Sequence, residues 1–265
     1  MSLNRRFSCA AVCATLLFTA LLTGCGSKTE KALELAALST GNWQFNSNAV
    51  NASRLPAISG ELSQSSSTVT GIFHSNSASS CVAPTAAIEL SGSTNADGLL
   101  TLTGGLAGGT LTVNGTLAAD GKSLSDATYN VSGGTCAFSA PAPAAGQNFA
   151  SVTGNYAGGF SDPNGHVIDI TAVLTQTPAS DTDGNFQLSG TGTFPSNPCF
   201  SSPVSVASSQ VTGGSVTLTY TDNTRGNSVT ASGTFSTDGT TLTVTNWTLT
   251  GTCGPDSGTG LLTKQ

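Results

Sequence analysis

The stretch LTVNGTLAADGKSLS (Leu111–Ser125) aligns without a gap on VTASGTFSTDGTTLT (Val229–Thr243). Thr112/Thr230, Gly115/Gly233, Thr116/Thr234, Asp120/Asp238, Gly121/Gly239 and Leu124/Leu242 are identical. Within each copy the apolar and small residues alternate with polar ones. Leu111, Val113, Gly115 and Leu117 interleave with Thr112, Asn114 and Thr116, and Val229, Ala231, Gly233 and Phe235 repeat the pattern. A period of two marks a half-buried antiparallel strand, with one face to a core and one to water. Asp120-Gly121 and Asp238-Gly239, like Asp97-Gly98 and Asp183-Gly184, supply the glycine that a tight turn with φ > 0 needs.

The repeat extends in both directions. Downstream, Tyr129 falls on Trp247, Val131 on Leu249 and Cys136 on Cys253. Upstream, Leu62-Ser63-Gln64 falls on Leu174-Thr175-Gln176, and Gly41-Asn42-Trp43 on Gly154-Asn155-Tyr156. Cys81 lies near Cys199 in this frame, and the intervals to the downstream cysteines are 55 and 54 residues. Of the seven cysteines, Cys9, Cys13 and Cys25 lie in the N-terminal segment; the other four allow three pairings, and two copies of one unit select Cys81–Cys136 and Cys199–Cys253. Closing a loop of that size stabilises each unit by about 4 kcal/mol in the chain-entropy model. No Cys-x-x-Cys spacing suggests zinc, and no metal or cofactor is expected.

The chain therefore reads as all-β, with two tandem homologous antiparallel barrel-like domains and one disulfide in each. In the second copy, strands are predicted near 154–160, 166–176, 185–194, 203–213, 215–222, 228–236, 241–251 and 259–265. Eight short strands suit an up-and-down barrel, and a β-sandwich explains the same alternation. Leu242 and Val244 are out of phase with Trp247 and Leu249, as Leu124 is with Tyr129 and Val131, which predicts a β-bulge in each copy. Gly41-Asn42-Trp43 resembles the first strand of lipocalins and avidins. That resemblance implies a barrel but no ligand, since the second copy has Tyr156 in place of the tryptophan. The first copy shows no eighth strand, because Pro141-Ala142-Pro143-Ala144-Ala145-Gly146 reads as a semi-rigid linker. The expected boundaries are 41–139 for domain 1, 140–150 for the linker and 151–265 for domain 2.

Composition narrows the partners. The 265 residues carry 8 Lys+Arg against 14 Asp+Glu, a formal net charge of -6, with only 8% charged and 37% hydrophobic. No basic stripe exists for nucleic-acid phosphates, and a chain this apolar and weakly charged is not disordered throughout. At the N-terminus, Arg5 and Arg6 precede an apolar run from Ala10 to Leu22, as in a secretory signal. Leu22-Thr23-Gly24-Cys25 resembles the lipobox of bacterial lipoproteins. The resemblance implies a signal peptide over 1–24, cleaved before Cys25. It further implies diacylglycerol on the Cys25 sulfur and a third acyl chain, such as palmitate, on its amine. Two or more chains anchor a protein stably where one does not. Gly26, where inner-membrane lipoproteins carry Asp, implies outer-membrane sorting. Loss of the two arginines takes the formal charge from -6 to -8, so lipid rather than a basic patch must hold the membrane. Residues 25–40 form the expected lipidated tether.

Catalytic patterns are sparse. No Gly-x-Ser-x-Gly, His-Glu-x-x-His or P-loop spacing occurs. His74 and His166 occupy different positions of the repeat and read as solvated or capped. Glu61 and Glu89 are the most plausible carboxylate pair for glycoside hydrolysis, yet each lies between apolar neighbours, which turns it to the water-facing side of a strand. Asp181-Thr182-Asp183-Gly184-Asn185 is similar to a calcium loop but has its glycine too early and no bidentate glutamate. Thr101-Leu102-Thr103, Thr217-Leu218-Thr219 and Thr241-Leu242-Thr243-Val244-Thr245 place threonine rows on an outer face. Such a row can order water or bind a repetitive polymer, but threonines more often simply cover the wet face of a sheet, where their branched side chains fit. Trp43, Tyr156 and Trp247 are the candidates for stacking on a ligand, with core packing as the competing role.

These features lead to the expectation of a lipid-anchored envelope protein, outer-membrane by its sorting residue, that is not an enzyme but a binding or interaction module. Its partner is a small molecule, a glycan or another envelope protein. A structural surface coat is the first alternative, and a hydrolase with a site between the two copies is the second.

Overall fold

A computed structural model describes residues 39–47, 54–83, 85–195 and 197–265. The signal peptide, Cys25 and the tether up to residue 38 lie outside the described residues.

Alternating side chains build sixteen antiparallel strands among the described residues. The first eight are β1 (Gly41–Ser47), β2 (Ile58–Ser65), β3 (Thr68–Ser75), β4 (Ile88–Thr94), β5 (Leu99–Leu106), β6 (Gly109–Leu117), β7 (Ser123–Gly133) and β8 (Ala142–Phe149). The second eight are β9 (Gly154–Ser161), β10 (Val167–Gln176), β11 (Phe186–Thr193), β12 (Val204–Thr212), β13 (Ser215–Asp222), β14 (Asn227–Phe235), β15 (Thr241–Thr250) and β16 (Asp256–Lys264). Each set closes into an up-and-down barrel, β8 against β1 and β16 against β9. Closure removes the unpaired edges that a sandwich would leave. The disulfides are Cys81–Cys136 and Cys199–Cys253, with Cα atoms 5.6 and 5.8 Å apart.

The linker expected over 140–150 is a strand instead. β8 pairs with β1 from Asn42↔Phe149 to Ser47↔Ala144, and with β7 on its other side. Its core-facing positions are Ala142, Ala144 and Gly146, so no large apolar residue betrays it. Gly146 is needed because a Cβ there would stand 2.8 Å from Leu124 Cδ1 and 3.0 Å from Phe45. Pro143 faces Thr128 beside the β7–β8 register shift between Leu124 and Thr128, a place where a missing N–H is tolerated. The first barrel thus closes from its own sequence. Only residues 150–153 separate it from the second.

The bulges fall where the phase flips. The β15–β16 register shifts between Val244 and Trp247, and Trp247 turns into the core with 0% exposure. In the turns, Gly121 (φ 67°) and Gly239 (φ 68°) take the left-handed conformation. Asp120 and Asp238 accept the N–H groups of Lys122 and Thr240.

Aromatic side chains fill both interiors. In the first barrel, Phe45 lies 5.6 Å from Trp43, 5.2 Å from Phe73 and 6.5 Å from Tyr129 between ring centroids. In the second, Phe160 stacks on Trp247 at 5.8 Å and Phe194 meets Phe200 at 4.3 Å and Tyr220 at 5.7 Å. Trp43 donates from Nε1 to the carbonyl of Ser39 and Tyr156 from its hydroxyl to that of Gly239. The hydroxyls of Tyr129 and Tyr220 are buried with no partner among the described residues.

Candidate functional site at the junction of the barrels

Outward positions of β2 and β3 build the junction from the first barrel. Ser59 faces His74, and Glu61 faces Ile72, which in turn faces Glu89 on β4. The β10–β11 hairpin of the second barrel reaches this face. Glu61 Oε2 accepts the backbone N–H of Ser180 at 3.3 Å, and His74 Nδ1 lies 3.4 Å from the Ser180 hydroxyl. Asn76 donates to the Asp183 carbonyl at 3.2 Å while its Oδ1 accepts from Ser59 (2.9 Å) and Gln44 (3.1 Å). Contact is close enough that a Cβ on Gly184 would sit 2.5 Å from Asn76 Nδ2 and 3.0 Å from the His74 carbonyl. Ser59 is fully buried here and His74 is 8% exposed. On the next connection, Ala150 donates its N–H to Thr237 of the second barrel.

Beside the junction, Glu61, Ile72 and Glu89 line an open groove of about 520 Å³ floored by Gly71. Both carboxylates point outward, as the alternation required. Ile72 between them is 45% exposed. With two strand spacings between them, the Glu61 and Glu89 backbones stand roughly 10 Å apart.

The histidine contacts do not make a hydrolytic triad. A triad carboxylate holds the imidazole nitrogen opposite the nucleophile; Glu61 instead holds the Ser180 main chain. The Nδ1–hydroxyl distance is also at the long limit for a hydrogen bond. His74 is buried at an interface rather than solvated, which corrects its expected place. His166 is exposed on a turn, its Nδ1 2.8 Å from Asp162 Oδ2. That bond raises the His166 pKa and, with the surrounding N–H groups, holds Asp162 down at about 2. The pair clips a turn.

The turn at Asp181 is self-satisfied. Asp181 Oδ1 accepts from Asp183 and Asn185, and Oδ2 from Gln187 at 2.6 Å. Partial burial opposes ionisation, yet these donors lower the Asp181 pKa. Among the described residues no three His, Cys, Asp or Glu come together around a cation position.

Trp43, Tyr156 and Trp247 are placed inside the barrels, at 1%, 1% and 0% exposure. None presents a ring face to a ligand; each packs on a phenylalanine within its own barrel. Interior stripes of a small barrel are the only place where side chains this large escape water.

Asp222, 3% exposed, was not apparent as special in the sequence. It accepts the hydroxyl and N–H of Ser201 and the N–H groups of Thr224 and Arg225. Desolvation pushes its pKa up, but these bonds prevail and hold it at about 2. Asn227 adjoins it, donating to Cys199 O and accepting from Cys253 N, so the cluster caps the disulfide end of the barrel.

No protein-family model matches the chain, and no curated protein matches it. Among solved structures, kievitone hydratase from Nectria haematococca matches over 87% of this chain and 91% of its own, at 8% identity and a TM-score of 0.23. A likeness of that size carries no argument about activity.

Proposed function

We propose that this chain is a lipid-anchored protein of the bacterial envelope, sorted to the outer membrane. In this reading it is a non-enzymatic interaction module that meets its partner with its outer surface. The observation that supports the surface reading is the filling of both interiors. Trp43, Phe45, Phe73 and Tyr129 occupy one barrel and Tyr156, Phe160, Tyr220 and Trp247 the other, all at 1% exposure or less. A carrier of small molecules needs a concave apolar space with a few converging polar groups; here side chains take that space. The lipobox-like Leu22-Thr23-Gly24-Cys25 supports the anchor, and two disulfides suit an oxidising compartment.

Fractionation of cells producing Cys25→Ala tests the anchor. Release of the variant into the soluble fraction, with the unaltered chain in membranes, is the expected result. A variant that still sediments with membranes overturns the anchor. Hydrolysis of generic ester or glycoside substrates by the unaltered chain, abolished in Ser180→Ala or Glu61→Gln, overturns the non-enzymatic reading.

A further inference from the structure

Away from the junction, the two barrels carry the same surface. On β5–β7 the register sets Thr103, Thr112 and Asn130 in one row across the strands and Thr101, Asn114 and Thr128 in the next. The equivalent strands β13–β15 set Thr219, Thr230 and Thr248 in one row and Thr217, Ser232 and Asn246 in the next. A third row matches Thr116 to Thr234 and is broken only by Leu99. None of the side chains in the two full rows is buried. Rows lie about 7 Å apart along the strands and columns about 4.8 Å apart across them.

The chemistry of these grids excludes most partners. They hold no Lys or Arg for a phosphate or sulfate and no Asp or Glu for a cation. Asp126 stands beside the first grid, on the β7 bulge between its second and third rows. They hold no aromatic ring for stacking, and Leu99 is the single large apolar side chain. In an acidic chain of net charge -6, two uncharged faces repel neither an uncharged polymer nor its hydration. What remains is hydrogen bonding by hydroxyls and amides. The side chains of Asn114, Asn130 and Asn246 are not engaged with other described residues. Each offers a donor and an acceptor side by side, the complement of a vicinal diol.

Resting on the outer-surface reading above, we propose that the two grids bind a neutral polysaccharide. Single exposed hydrogen bonds contribute little, so only a partner that repeats its hydroxyls at about the strand spacing benefits from such a grid. A chain of pyranose rings does so. A polymer long enough to reach both grids adds avidity to weak individual contacts.

Co-sedimentation of the detergent-extracted full chain with cellulose, chitin and β-1,3-glucan tests this, with alginate as a polyanion. Binding to at least one neutral polymer, insensitive to salt, is expected, because no charge is screened. Asn114→Asp and Asn246→Asp should each weaken binding by about tenfold or more through lost avidity, and together abolish it. Melting temperatures should stay unchanged, since both side chains lie outside the cores. Binding to none of the neutral polymers, binding only to alginate, or binding indifferent to the double substitution overturns the assignment. An envelope protein recovered in place of a glycan also overturns it, while leaving the outer-surface reading intact.

Discussion

Glu61 and Ser180 belong to different barrels, and the carboxylate of the first accepts the main-chain N–H of the second at 3.3 Å. With Asn76 bonded to Asp183 nearby, this contact ties a strand face of one copy to a hairpin of the other. Duplication supplied two similar units; these residues, which the repeat does not share, join them.

Asn76→Ala removes three hydrogen bonds from the junction at once. The expected loss is about 1–3 kcal/mol of stability, from the unpaired groups left behind. Calorimetry should show a lowered or split transition as the barrels uncouple. An unchanged thermogram would mean that the junction contributes nothing to holding them together.

Tyr129→Phe and Tyr220→Phe delete hydroxyls that are buried without a partner. Each substitution should be neutral or stabilising, by up to about 1 kcal/mol. Denaturant melts decide the matter. A loss larger than that would reveal a partner for the hydroxyl inside the barrel.

Acid should weaken the second barrel through Asp222. Its folded pKa of about 2 lies below the ordinary carboxylate value of 3.8, so the carboxylate form favours the native state. The stabilisation is complete above the unfolded pKa and is lost as pH falls toward 2. Asp222→Asn should flatten the dependence of stability on pH between 4 and 2. A variant with the same acid slope as the parent would remove Asp222 as its source.

Gly233→Val should destabilise more than Gly115→Val, although the two glycines are equivalent in the repeat. A Cβ at 233 would stand 2.2 Å from the Thr243 carbonyl oxygen, whereas at 115 the nearest atom is Leu124 Cβ at 3.0 Å. Backbone cannot yield as a side chain can. Thr112→Val, on the outer face, should cost least. Comparable midpoints for all three in urea would contradict this placement.

Much of this architecture was legible because it depends on local rules. The period of two, the Asp-Gly turns and the duplicated cysteine spacing each state one physical constraint, and together they yield two disulfide-bonded barrels. The phase flip before Trp247 announced its bulge. β8 stayed hidden because its core-facing positions are the small residues Ala142, Ala144 and Gly146, with Gly146 fitting tightly against Leu124 and Phe45 rather than adding hydrophobic bulk. The junction was hidden for another reason. His74 and Ser180 are 106 residues apart, and nothing in either neighbourhood signals the other. Threonine rows were visible as patterns, but their alignment into matching grids required the strand register.

Native mass spectrometry of the protein extracted gently from its own envelope tests the central claim, that both barrels are filled and act from outside. The account expects the mass of the acylated mature chain with no small molecule held inside it, whether or not a polymer or protein partner remains attached. A stoichiometric small molecule that survives desolvation and is lost only when a barrel unfolds would contradict it.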